Sequence, residues 1–261
     1  MKLRTQNLKL QDVISDPWFI AGVYIGSFGI TECILYYLSM PYGVVLYFEI
    51  LITLILHSTF NPNEAQRDLW LALGLVPLIR IVSIVISVAE LTVITQYILI
   101  GVLALLGIYT VARHLKYSFD DIGLNGRYFW SQILTEVTGI GLGVIDYLIL
   151  KPKPLAAGSF VQLIFPGLVL LIFTGFMEEL AFRGVLQRAA GALGSRGWLS
   201  IALVYALLQI GKGSLLHIVF TLGVALYFGF VVQKTKSVIG VSMAHGLLNI
   251  MLFLVMPNVM G

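Results

Sequence analysis

From Pro17 to Met256 the chain is a nearly unbroken series of apolar stretches separated by short polar segments. Lipid offers no partner to a backbone N–H or C=O, so a stretch that crosses it must satisfy those groups internally. A spanning helix needs about 20 mostly apolar residues. Nine candidate spans emerge on that measure: 17–39, 43–57, 69–89, 92–112, 128–150, 158–178, 198–210, 214–232 and 238–256. The second and seventh are short, so one re-entrant segment and a total of eight is the alternative. Composition agrees, with 59% hydrophobic and 11% charged residues against about 25% charged in soluble domains. The expected fold is all-α: a polytopic transmembrane helical bundle of eight or nine spans, with no separate soluble domain.

Loop charge supports the odd count. Lys2, Arg4, Lys9, Arg67, Arg113, Lys116, Arg127, Arg188, Arg196, Lys234 and Lys236 fall on one side, and only Lys151, Lys153 and Lys212 on the other. Basic loops favour the cytoplasm, so the amino terminus is expected there, as a retained tail without a cleavable signal. An integral protein of a prokaryotic plasma membrane is the expected setting, with the lipid bilayer as its first partner. Nothing resembles a nucleic-acid surface. The single cysteine, Cys33, excludes an intramolecular disulfide and a cysteine-cluster metal site. The longest polar interruption, 113–127, carries turn residues Asp120, Asp121, Gly123 and Gly126. It divides an N-terminal four-helix transmembrane region, 1–115, from a second transmembrane region, 116–261. In the first region Glu32, Glu49, His57, Arg80 and Glu90 are intramembrane polar positions, and Pro77 is placed to aim Arg80 at one of the acids.

Chemistry concentrates in the second region. Glu178 and Glu179 end the apolar run 158–178, and Arg183 follows Glu179 by four residues, so the two share a helix face and can pair. Glu178 has no such local partner, and an unpartnered carboxylate in a membrane calls for a function. Two more couples have the same spacing, Tyr205 with Gln209 and His245 with Asn249. Three helices each presenting such a couple predict one shared cavity, expected to open toward the cytoplasm. A dry carboxylate can act as general base on water, and an imidazole and a carboxamide can donate to an oxyanion. The pattern predicts amide hydrolysis by activated water. A zinc site would require an unusual ligand set here, so neither metal nor cofactor is expected. In the neighbouring span Gly139, Gly141 and Gly143 are expected to serve close helix packing.

Together, Glu178-Glu-x-x-x-Arg183, Tyr205-x-x-x-Gln209, Tyr227-Phe-Gly-Phe and His245-x-x-x-Asn249 resemble the CPBP family. These are the CAAX-protease and bacteriocin-processing intramembrane glutamic endopeptidases, which include the Rce1-like prenyl-protein proteases. The resemblance implies that Glu178 activates water, that Glu179 and Arg183 support it, and that His245 and Asn249 form the oxyanion site. Tyr205 and Phe182 are expected to contact a peptide or prenylated-peptide substrate. One position departs from the pattern: the second motif is usually Phe-x-x-x-His, and Gln209 stands where that histidine would be. A carboxamide can orient a water but cannot take its proton. His217 lies eight residues on, in the next span, where its spacing makes it a poor replacement. The alternative is a non-catalytic CPBP-like membrane scaffold or bacteriocin-immunity protein.

Overall fold

The structure, a computed structural model, describes residues 16–260. The tail carrying Lys2, Arg4 and Lys9 lies outside the described residues. Eight helices are long and apolar enough to cross a membrane: α1 (Pro17–Tyr37), α2 (Met40–Phe60), α3 (Glu64–Ser87), α4 (Val93–His114), α5 (Phe129–Leu150), α6 (Phe160–Leu193), α8 (Leu215–Thr235) and α9 (Ile239–Met260). The shorter apolar helix α7 (Trp198–Lys212) lies between α6 and α8. The second span is therefore full length, and only the seventh is short.

Local chemistry sets several boundaries. The Asp16 carboxylate accepts from Trp18 N–H, with Pro17 in the first turn of α1. Asn63, Thr92 and Ser214 cap α3, α4 and α8 in the same way, satisfying donors that a helix leaves orphaned at its start. Gly74 interrupts α3 three residues before Pro77. Two π-helical turns, Leu171–Phe176 and Leu180–Leu186, flank Glu178 and Glu179 in α6, and a third, Met251–Val255, lies in α9.

Side chains and backbone assign each helix end to a face of the bundle. Arg188, near the end of α6, pairs with Asp121 at 2.7 Å. Ser237, after α8, donates to the Asn125 carbonyl at 2.7 Å. The ends of α4, α6 and α8 thus gather on one face, around the 115–128 loop. Asp121 also accepts from the backbone N–H and hydroxyl of Ser118 at 3.0 and 2.8 Å. Those bonds, with Arg188, hold its carboxyl below its ordinary range. The loop-to-α6 staple is accordingly intact at neutral pH and lost as pH falls through that lowered value. A β-carbon on Gly213, just after α7, would meet the Tyr36 hydroxyl near the far end of α1. Since α7 begins beside Arg196 and ends beside Tyr36, it runs from one face of the bundle toward the other despite its length.

At the centre, α9 packs between α5 and α6. A β-carbon on Gly139 or Gly143 of α5 would overlap the backbone of α9, and one on Gly175 of α6 would overlap Gly246 of α9. Small residues let helix backbones approach where lipid provides no hydrophobic drive. Gly141 differs from the expectation, since its β-carbon would meet nothing. Gly175→Ala is expected to destabilise the bundle by about 1–3 kcal/mol, read as a lower thermal midpoint in detergent. Gly141→Ala should leave that midpoint unchanged.

Candidate active site

Three helices converge on one carboxylate. Tyr205 of α7 donates its hydroxyl to Glu178 Oε2 at 2.8 Å. His245 of α9 places Nε2 at 4.0 Å from the same oxygen and 3.4 Å from the Tyr205 hydroxyl. Glu178 has no partner on its own helix; its hydrogen-bond donor comes from another one. Its side chain remains 29% exposed, facing a cavity of about 410 Å³.

Behind this group runs a buried ionic chain. His245 Nδ1 lies 2.9 Å from Glu179 Oε1, and Glu179 Oε2 lies 3.3 Å from Arg183 Nε, both side chains being 1% exposed. That last pair is within ionic reach but not aligned for a hydrogen bond, and Arg183 NH1 has no hydrogen-bond partner. The guanidinium sits 4.9 Å from the Tyr205 ring centroid, a cation–π contact strengthened by desolvation. Phe182 meets the Tyr205 ring edge to face at 4.9 Å.

These contacts fix the tautomer of His245. A carboxylate only accepts, so Nδ1 carries the proton toward Glu179. In the neutral ring Nε2 then offers a lone pair toward Glu178 and Tyr205; in the imidazolium it offers a donor. Atoms 4.0 Å apart can both bond one water at ordinary hydrogen-bond lengths, at an angle of roughly 90°.

Other sequence-predicted residues fall elsewhere on the cavity wall. Asn249 donates to Thr174 Oγ1 at 2.9 Å, which ties α9 to α6 and leaves His245 alone of that couple beside Glu178. Gln209 lines the cavity, and its carboxamide makes no hydrogen bond to the described residues. His217 lines it too, paired through Nδ1 with Asp146 at 2.8 Å. Eleven residues of α8 separate His217 from Phe228, whose ring lies 6.4 Å from that of His245. At 1.5 Å per residue this is about 16 Å along the helix, so His217 is no substitute at the Glu178 oxygen. The Asp146–His217 pair was not foreseen. Its signal was two ionisable residues in apolar helices, each requiring a partner, but neither lies at a spacing that names the other.

Arg80 pairs with one of the acids, as expected. Arg80 forms a two-pronged pair with Glu32, at 2.5 and 2.8 Å, and Tyr47 donates to the same carboxylate at 2.5 Å. Glu32 is fully buried, while Arg80 reaches the cavity wall. His57 stacks on Trp70, their ring centroids 5.0 Å apart. Glu49 and Glu90 are exposed. Among the described residues no group of three or more His, Cys, Asp or Glu side chains is arranged to hold a metal ion.

The exposed part of the cavity wall does not lie beside the basic loops. The cavity's buried end is formed by Phe182, Arg183, Phe228 and His245, on the side nearer the 115–128 loop. Its exposed wall residues, Gly211 and Lys212, lie at the far end of α7. That exposed part of the wall is on the face away from the 115–128 loop.

Residues 160–251, which carry Glu178, Glu179, Arg183, Tyr205, Gln209, His245 and Asn249, match the family model of the type II CAAX prenyl endopeptidase, Rce1-like. The carboxy-terminal helical segment is Rce1-like. No curated protein and no solved structure matches the chain. The Rce1-like segment spans α6, α7, α8 and most of α9, while Arg80 and Asp146 reach the cavity from helices outside it. Arg80→Met should destabilise the protein by about 3–5 kcal/mol by stranding the buried Glu32 charge, measured by unfolding in detergent. Adding Glu32→Gln should recover much of the loss.

Proposed function

We propose that the chain is an intramembrane endopeptidase in which Glu178 activates the attacking water. The observation that carries this is Glu178 itself: a carboxylate facing the cavity in an Rce1-like segment, with one oxygen approached by both Tyr205 and His245. Glu178 takes a proton from water as the oxygen bonds to the scissile carbonyl carbon. The carbonyl electrons move onto oxygen, where the Tyr205 hydroxyl and protonated His245 Nε2 are the available donors. Glu178 then returns the proton to the amide nitrogen, and the C–N bond breaks. Glu179 holds the Nδ1 proton, and Arg183 balances Glu179. Gln209 is in a position to orient water or a substrate amide. Tyr205 and Phe182 form the wall against which the peptide lies. The substrate class is a membrane-associated peptide, with prenylated CAAX-type tails among the candidates.

Purified protein in liposomes, offered prenylated and unprenylated peptides, tests this. Glu178→Gln should lower cleavage by about 10²–10⁴-fold with an unchanged unfolding midpoint, and a chelator should have no effect. Cleavage retained in Glu178→Gln would refute the assignment. Tyr205→Phe should cost roughly 10²-fold in kcat if the hydroxyl donates to the oxyanion. Gln209 favours a second reading, a non-catalytic scaffold; it is supported if wild type is inert on every peptide and Gln209→His stays inert too.

A further inference from the structure

The exposed residues of the cavity wall, Gly211 and Lys212, lie at one end of it, and the distribution of charge says which side of the membrane that end faces. Below Phe182, Arg183 and Phe228 the bundle is packed shut by Val185, Leu186, Ile201 and Val204, all at most 1% exposed. Above them the wall becomes polar, through Arg80 and the buried Asp146–His217 pair, and reaches exposed positions at Gly211 and Lys212. Lys212 is exposed and forms no ion pair with the described residues. This exposed end, the mouth, therefore shares a face with Lys151, Lys153 and Lys212. The closed end points toward Arg67, Arg113, Lys116, Arg127, Arg188, Arg196, Lys234 and Lys236. Ionic and backbone contacts join three of these loops directly, through Arg188 to Asp121 and Lys236 to Asn125, so they cannot lie on different sides. Short loops rich in Lys and Arg stay in the cytoplasm.

We infer that Glu178 is reached from the extracytoplasmic side, and that the substrate is a peptide segment presented in or beyond the outer leaflet. The inference rests on the endopeptidase reading for the word substrate, but not for the direction of access. A cytosolic carboxy-terminal tail, prenylated or not, would meet the packed end of the bundle. The charged passage suits an extended, polar peptide backbone, since Arg80 and Lys212 alternate there with Asp146 and His217. Water for hydrolysis enters by the same route.

Single cysteines placed in a Cys33→Ala background test the direction without relying on cleavage. Lys212→Cys marks the mouth, Thr221→Cys the inner wall, and Arg196→Cys the loop at the closed face. Intact cells expressing each full-length variant are treated with a membrane-impermeant thiol reagent, before and after permeabilisation. Lys212→Cys and Thr221→Cys should label in intact cells to the level reached after permeabilisation, and Arg196→Cys only after it. The reverse pattern, or labelling of any one site from both sides, would overturn the inference. So would a Thr221→Cys that stays unreactive while Lys212→Cys labels, because the mouth would then not lead inward. If labelling runs as expected but Glu178→Gln still cleaves, the direction of access stands and the proposed chemistry fails.

Discussion

The buried chain from Arg183 through Glu179 to His245 is the interaction on which the rest of the site depends. Two charges taken out of water and lipid headgroups carry a desolvation cost of several kcal/mol each, and only close, complete pairing offsets it. Pairing requires α6 and α9 to be in near contact, which the facing glycines Gly175 and Gly246 allow. Once Glu179 is committed to Arg183 and His245, Glu178 is left as the carboxylate turned to the cavity. The adjacent acids thus divide their work by direction: one is neutralised inside the protein, and the other is presented to whatever enters.

Helix irregularity makes that division possible. In a regular helix, neighbouring residues point about 100° apart and their neighbours one turn away are set by the i, i+4 rule. The π-helical turns on either side of Met177–Glu179 widen α6 where the acids sit, a placement common at functional sites. Glu179 and Arg183 remain paired across the second turn, while the first brings Thr174 to Asn249. The same irregularity recurs at Met251–Val255 on α9, directly after the residues that face the acids.

The amino-terminal helices complete this cavity. Arg80 lies on its wall with its guanidinium held by Glu32 on α1, whose carboxylate also accepts from Tyr47 on α2. Asp146 does the same from α5 with His217. The Rce1-like helices carry Glu178, and helices outside the matched segment supply Arg80 and Asp146 to the same cavity. A closed end built from aromatic and aliphatic packing gives that cavity a single direction.

Much of this was legible in the residues alone. Hydrocarbon tolerates few polar groups, so the apolar runs determined an all-α membrane bundle, and Glu32, Arg80, Glu179 and Arg183 marked themselves as residues that need partners. Spacing along one helix identified Glu179 with Arg183 because both ends of that contact lie in the same short stretch. Contacts between helices have no such signature. That Tyr205 takes Glu178, that Thr174 takes Asn249, and that Asp146 takes His217 depends on helix rotation, the π-helical turns and glycine contacts, which only the tertiary structure decided. The direction of the cavity belongs to that class as well. Loop charge could orient the chain across the membrane, but which end of the bundle is packed shut is a property of side chains brought together from α6, α7, α8 and α9.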